Sequence, residues 1–188
     1  MRFLIACAAL IALVAAGGFV YLRTTGLDAR GRPSAWEAQL ARAARAMAIP
    51  ESDRARANPL PRNEANVVAG LEHFADHCAS CHANDGGGDT EMGRNLWPKA
   101  PDMRAAPTQE LTDGELFYII EHGVRFTGMP AWSTGTAAGE NSSWQLVHFI
   151  RELPRLTPEQ LVRMQALNPR SPEEIRLELA EQEFLSGK

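Results

Sequence analysis

The sequence predicts an all-α fold, and three observations carry that expectation. Helix-start signals recur along the chain: Ser34 with Glu37, Thr112 with Glu115, Ser142 with Gln145, and Thr157 ahead of Pro158. The apolar residues behind these signals fall at helical spacing. The paired cysteines of Cys78-Ala79-Ser80-Cys81-His82 have no βαβ pattern around them. A chain of 188 residues fits one domain plus extensions. Its net charge of −4 argues against nucleic-acid binding. The charge is also unevenly placed. Between 67 and 153 there are 5 Lys/Arg against 12 Asp/Glu, a balance of −7, whereas 23–62 holds 8 against 4, a balance of +4.

Residues 1–22 open with Arg2 and then run apolar from Phe3 to Leu22, about the 20 residues a membrane-crossing helix needs. Val14-Ala15-Ala16 offers a signal-peptidase site, but the apolar run continues through Phe19 to Leu22, longer than a cleaved signal needs. We therefore expect an uncleaved anchor, with a soluble product after cleavage as the alternative. Cys7 reads as an ordinary residue of that helix. Residues 23–62 are expected to be linker with an amphipathic helix from Ser34 to Pro50. Trp36, Leu40, Ala43, Ala44 and Met47 share one face of it. That stripe either docks on lipid or a partner, or packs back on the following domain, and the second is the expectation. Ala55 to Arg62, with Pro59 and Pro61, reads as an extended connector.

Residues 63–153 form the main domain. A helix carrying Val67, Val68, Leu71, Phe74 and Ala75 runs into the cysteine pair. Alone, CxxC suits a redox dithiol or half of a zinc site. With His82 directly behind it, the run is the attachment pattern of a c-type haem. Each thiol forms a thioether with a vinyl group, and the imidazole turns onto the iron. His73 and His77 are expected at the surface. The Gly- and Pro-rich stretch from Ala83 to Pro107 is long enough to wrap a cofactor. It has neither a Walker nor an EF-hand spacing. Arg94, Trp97 and Arg104 within it are candidate donors to haem propionates.

A further helix follows Thr112, with Leu116, Phe117, Ile119 and Ile120 on its apolar face and Gly123 as its stop. Met129 then sits in Gly128-Met129-Pro130, where Pro130 pushes it out of helical conformation and into a loop. Met opposite His is the axial pair of electron-transfer haems, so Met129 is the candidate sixth ligand and Met103 its rival. The closing helix is placed from Ser142, carrying Trp144, Val147, Phe149 and Ile150, with His148 exposed. Residues 154–188 read as a helical extension. Leu161, Met164 and Leu167 make one apolar face and Ile175, Leu179 and Phe184 another, suited to clasping the domain or meeting another subunit.

From Ala65 to Leu153, the Cys78–His82 motif, Gly128-Met129-Pro130 and the final Trp144 to Leu153 helix resemble a class I, single-haem cytochrome c. The nearest flavour is the bacterial type related to haem subunits of cbb3-type oxidases. The resemblance implies the class I cytochrome c fold around one covalent haem c, flanked here by an N-terminal membrane helix and extra helices. It implies that Gly70 and Phe74 lie where the first helix crosses the last. It also implies attachment outside the bacterial cytoplasm, so the haem domain is expected on the periplasmic face of the inner membrane. The implied role is electron transfer by an Fe(II)/Fe(III) couple between redox partner proteins of a respiratory chain, as a carrier and not an enzyme. A fixed haem subunit of a larger oxidoreductase, or a haem enzyme or gas sensor with a labile Met129, are the alternatives.

Overall fold

The structure is a computed structural model describing residues 1–186, and among these all regular structure is helical. Helix α1 (Arg2–Thr25) is apolar along its length and buries no residue against the rest of the chain. It is long and apolar enough to cross a bilayer. Helix α2 (Ala35–Ala48) starts at the expected capping box, with Glu37 and Ser34 bonding reciprocally, and ends before Pro50. The short α3 (Glu51–Arg54) follows.

Helix α4 (Glu64–His73) continues through a π-helical turn, Phe74–Cys78, into α5 (Ala79–His82). The looser turn itself carries the core residues Phe74 and Ala75 and ends at Cys78, and such turns gather at functional sites. The loop behind it holds α6 (Glu91–Asn95) and α7 (Ala106–Gln109). Helix α8 (Asp113–His122) begins at the Thr112/Glu115 capping box and stops at Gly123. Helix α9 (Ala137–Glu152) starts earlier than the sequence suggested. Thr136 caps it by accepting from the Gly139 amide, and Ser142 lies inside the helix, donating to the Ala138 carbonyl. Helices α10 (Pro158–Leu167) and α11 (Pro172–Leu185) close the described chain.

The core forms where α4 crosses α9. A Cβ at Gly70 would lie 2.2 Å from the Gln145 carbonyl oxygen, so only glycine lets the two backbones approach this closely. Phe74 fills the space beside the crossing, its ring centroid 5.1 Å from that of Phe149. Phe117 of α8 stacks on Trp144 of α9 at 4.0 Å, and the Arg56 guanidinium lies over both rings. Arg151 ties α9 to the start of α8, bonding Asp113 and the carbonyls of Gln109 and Leu111.

Two flanking pieces join this core. The connector lies along α9, with Asn58 donating to the Trp144 carbonyl. His148, expected at the surface, is buried, and its Nε2 sits 3.0 Å from the Leu60 carbonyl oxygen. Covering by the connector removes it from solvent. Met164 of α10 is fully buried, so α10 clasps the domain, while Ile175, Leu179 and Phe184 of α11 are exposed. The α2 stripe also departs from expectation. Trp36, Leu40 and Met47 point outward, because α2 turns its opposite, arginine-bearing face to the domain.

Candidate functional site

Cys78, Cys81, His82 and Met129 all line one cavity of about 1190 Å³. Pockets for ordinary small ligands run to roughly 300–1,000 Å³, so this one suits a large ligand. Its walls come from every part of the domain: Phe74 from the π turn, Leu116 and Ile120 from α8, Leu146 and Ile150 from α9. These side chains are buried, and each presents an apolar flank to the space.

The cysteine side of the cavity follows from the π turn and α5. Cys78 and Cys81 are free thiols one helical turn apart. Burial pushes the Cys78 thiol up to about 12, with the neighbouring Cys81 adding to it. A thiol held so firmly protonated is a poor redox dithiol, which relies on a low thiol pKa. Among the described residues no group of three or more His, Cys, Asp or Glu is arranged to hold a metal ion, which leaves the zinc alternative without a ligand set.

His82 lines the same wall, its ring 6.5 Å from that of Phe74. Burial lowers its pKa, opposed in part by the Pro101 carbonyl, so the imidazole is held neutral with a lone pair free for a metal. Its Nδ1 is shut away from solvent and makes no hydrogen bond of good geometry; Pro101 is the backbone acceptor that acts on it. Gly88 keeps that carbonyl close. With φ at +74°, a Cβ there would strike the backbone at Ala100 and Pro101. The Gly88 amide in turn donates to the His82 carbonyl at 2.8 Å. A neutral ring with one nitrogen shut away from solvent near a backbone carbonyl, lining a cavity, resembles the arrangement of metal-ligating histidines. The donor set and the wide apolar walls therefore fit a porphyrin.

The turn after α8 carries Met129, which lines the same cavity. The Thr127 hydroxyl accepts from its amide at 3.1 Å, and the Val124 amide donates to its carbonyl at 3.0 Å, so the loop is fixed on both sides of the side chain. Gly128 faces the Leu96 side chain, which a Cβ would meet at 2.5 Å. Met103 also lines the cavity and is the more buried of the two methionines, its amide donating to the Gly86 carbonyl.

The three proposed propionate donors are differently placed. Arg94 lines the cavity but is paired with Asp89 at 2.6 Å. Arg104 is bound by Asp102 and Asp85, and neither it nor Trp97 lines the cavity. Besides Arg94, the cations that line it are Lys99 and, from the segment ahead of the domain, Arg30, Arg32, Arg42 and Arg45. Sequence reasoning missed them because it followed the apolar face of α2. The excess positive charge of that segment was the signal available.

Comparison with known proteins agrees with this geometry. Residues 65–150 match the family model described as cytochrome c oxidase, cbb3-type, subunit III. A stretch of 92 residues is 36% identical to the cbb3-type cytochrome c oxidase subunit FixP of Rhizobium meliloti (strain 1021). That match takes in 46% of this chain and 27% of FixP, so the chain spans about a quarter of its curated relative. Residues 65–150, which supply most of the cavity's walls, are thus similar to a cytochrome c domain of the cbb3 type.

Proposed function

We propose that the chain is a membrane-tethered electron carrier with one haem c in the cavity, held by thioethers from Cys78 and Cys81 and ligated by His82 and Met129. The observation that carries this reading is the convergence of these four side chains on one large apolar cavity. When bound, the haem supplies a one-electron Fe(II)/Fe(III) couple. The protein's part is to bind, orient and shield. The neutral His82 would present its lone pair, with the Pro101 carbonyl beside the ring. Leu116, Ile120, Leu146 and Ile150 keep water away from the space. Two axial side chains would leave no open position for a substrate.

Helix α1 supports a tether in the inner membrane, and export of the haem domain to the periplasm follows from the thioether chemistry. The domain is read as 63–153, between the 23–62 segment and the 154–188 extension. Expression with haem-maturation machinery in the periplasm tests the proposal. The product should be coloured and keep its pigment in acidified organic solvent. A sulfur–iron charge-transfer band should vanish in Met129→Ala and persist in Met103→Ala. The reverse pattern would give the ligand's place to Met103, and a colourless product would sink the reading. Rapid carbon monoxide binding by the reduced wild type would favour a labile Met129 and a sensor or enzyme instead.

A second reading, a fixed subunit of an oxidase complex, is favoured by the similarity to FixP. Purification in mild detergent separates the two, since a stable stoichiometric complex would exclude a free carrier.

A further inference from the structure

Four arginines from a segment outside the matched domain line the cavity, and three of them have no carboxylate partner among the described residues. Ala38, Arg42 and Arg45 recur at helical spacing on one face of α2, and all three line the cavity. Arg30 and Arg32 come from the turn before it. Several arginines elsewhere are matched: Arg56 with Glu140, Arg62 with Glu152, Arg151 with Asp113, Arg163 with Glu72. Among the described residues, Arg32, Arg42 and Arg45 make no ion pair, and Arg30 pairs only with the exposed Asp28. Arg45 is half-buried, with desolvation lowering its pKa. The carboxylate whose charge acts on it is Glu115, already paired with Arg54 at 3.3 Å. A partly desolvated guanidinium with no carboxylate of its own is costly unless an anion completes the site.

The segment is fastened in place. Ile49, just past α2, is 4% exposed, Arg54 donates to the Ala46 carbonyl, and Lys99 donates to the Ala29 carbonyl at 2.8 Å. Gly31 lies against the Trp97 ring.

We propose that residues 30–45 form a cationic strap in which Arg42 and Arg45, assisted by Arg30 and Arg32, pair with the two propionate carboxylates of the porphyrin. The proposal rests on the haem reading above. A haem carries its vinyl groups and its propionates on different edges, so cysteines that hold one edge leave the carboxylates to other side chains. Arg is suited to that work because its planar fork pairs bidentately with a carboxylate. The strap lowers the negative charge felt at the iron and so favours the ferrous state. It also makes the preceding segment part of the cofactor site, tying the membrane side of the chain to the redox centre.

Redox titration and redox-induced infrared difference spectra of the full-length haem protein test this, for wild type, Arg42→Gln, Arg45→Gln and the double variant. The expected result is a downward shift in midpoint potential, larger in the double variant, together with displaced propionate carboxylate bands. Arg45→Lys should recover most of the potential, and Arg170→Gln in the remote link before α11 should change neither readout. A lowered potential with unmoved carboxylate bands would reduce the arginines to distant charges and overturn the pairing, as would an unshifted potential. If the double variant does not fold, Arg45→Gln against Arg45→Lys reads the same bands. A colourless wild type would remove the haem reading and the strap with it, whereas a coloured wild type with unshifted variants removes the strap alone.

Discussion

A single hydrogen atom at Gly70 lets α4 and α9 cross. The atom that a side chain would strike is the Gln145 carbonyl oxygen, a backbone group within a long helix that cannot swing aside. Gly70→Ala should therefore destabilise the folded protein by about 1–3 kcal/mol, the usual range for overpacking, measured by denaturant unfolding. His73 illustrates a weaker effect. Burial lowers its pKa, and the facing His77 ring at 4.9 Å lowers it further, while Asp76 opposes both. The unfolded chain then takes up a proton near the ordinary histidine value of about 6.5, before the folded one does. This contribution to stability is complete above that pH. It declines as pH falls toward the lowered folded value and changes no further once both states are protonated. In His73→Gln the stability-against-pH curve should flatten in that window; an unchanged curve would show that His73 does not contribute. His148 marks what local pattern cannot reveal. Its partner, the Leu60 carbonyl, is 88 residues away in sequence, so nothing near it signalled burial.

At the scale of elements, what was legible was local. The capping boxes at Ser34 and Thr112 and the stop at Gly123 lie where the sequence placed them, since each is a bond between near neighbours. The Gly70/Phe74 crossing followed from the family resemblance. The start of α9 was misread because Thr136 is followed at the third position by Gly139, not by Glu or Gln, and the reciprocal half of the box is missing. Helices α6 and α7 are too short to show a period, and they form where the loop wraps the cavity. The orientation of α2 runs against its apolar pattern. Its apolar stripe, with Trp36 at 62% exposed, faces out while Arg42 and Arg45 line the cavity, and amphipathic spacing alone gives no sign of that. For α10, one side chain is the fastening. Met164 is wholly buried against the π turn region, so Met164→Ala should cost about 2–5 kcal/mol in denaturant unfolding. A loss below 0.5 kcal/mol would mean that α10 is not part of the folding unit.

At the scale of the molecule, the two ends of the chain should behave differently from the middle. Helix α1 contributes nothing to the core and exposes its apolar surface throughout. Removing residues 2–25 from an exported version should move the protein from the membrane to the soluble fraction, with the unfolding midpoint and visible spectrum unchanged. Helix α11 also lies outside the core cluster, yet Ile175, Leu179 and Phe184 remain uncovered. A truncation before Ser171 should leave stability unaltered for the same reason. The truncation therefore discriminates between the two proposed roles. If the chain is a fixed subunit, co-purification of a stoichiometric partner in mild detergent should fall with α11 removed while colour and stability persist. If it is a free carrier, no such complex forms with either version. A truncation that lowered the unfolding midpoint would instead place α11 with α10, as a second clasp on the haem domain.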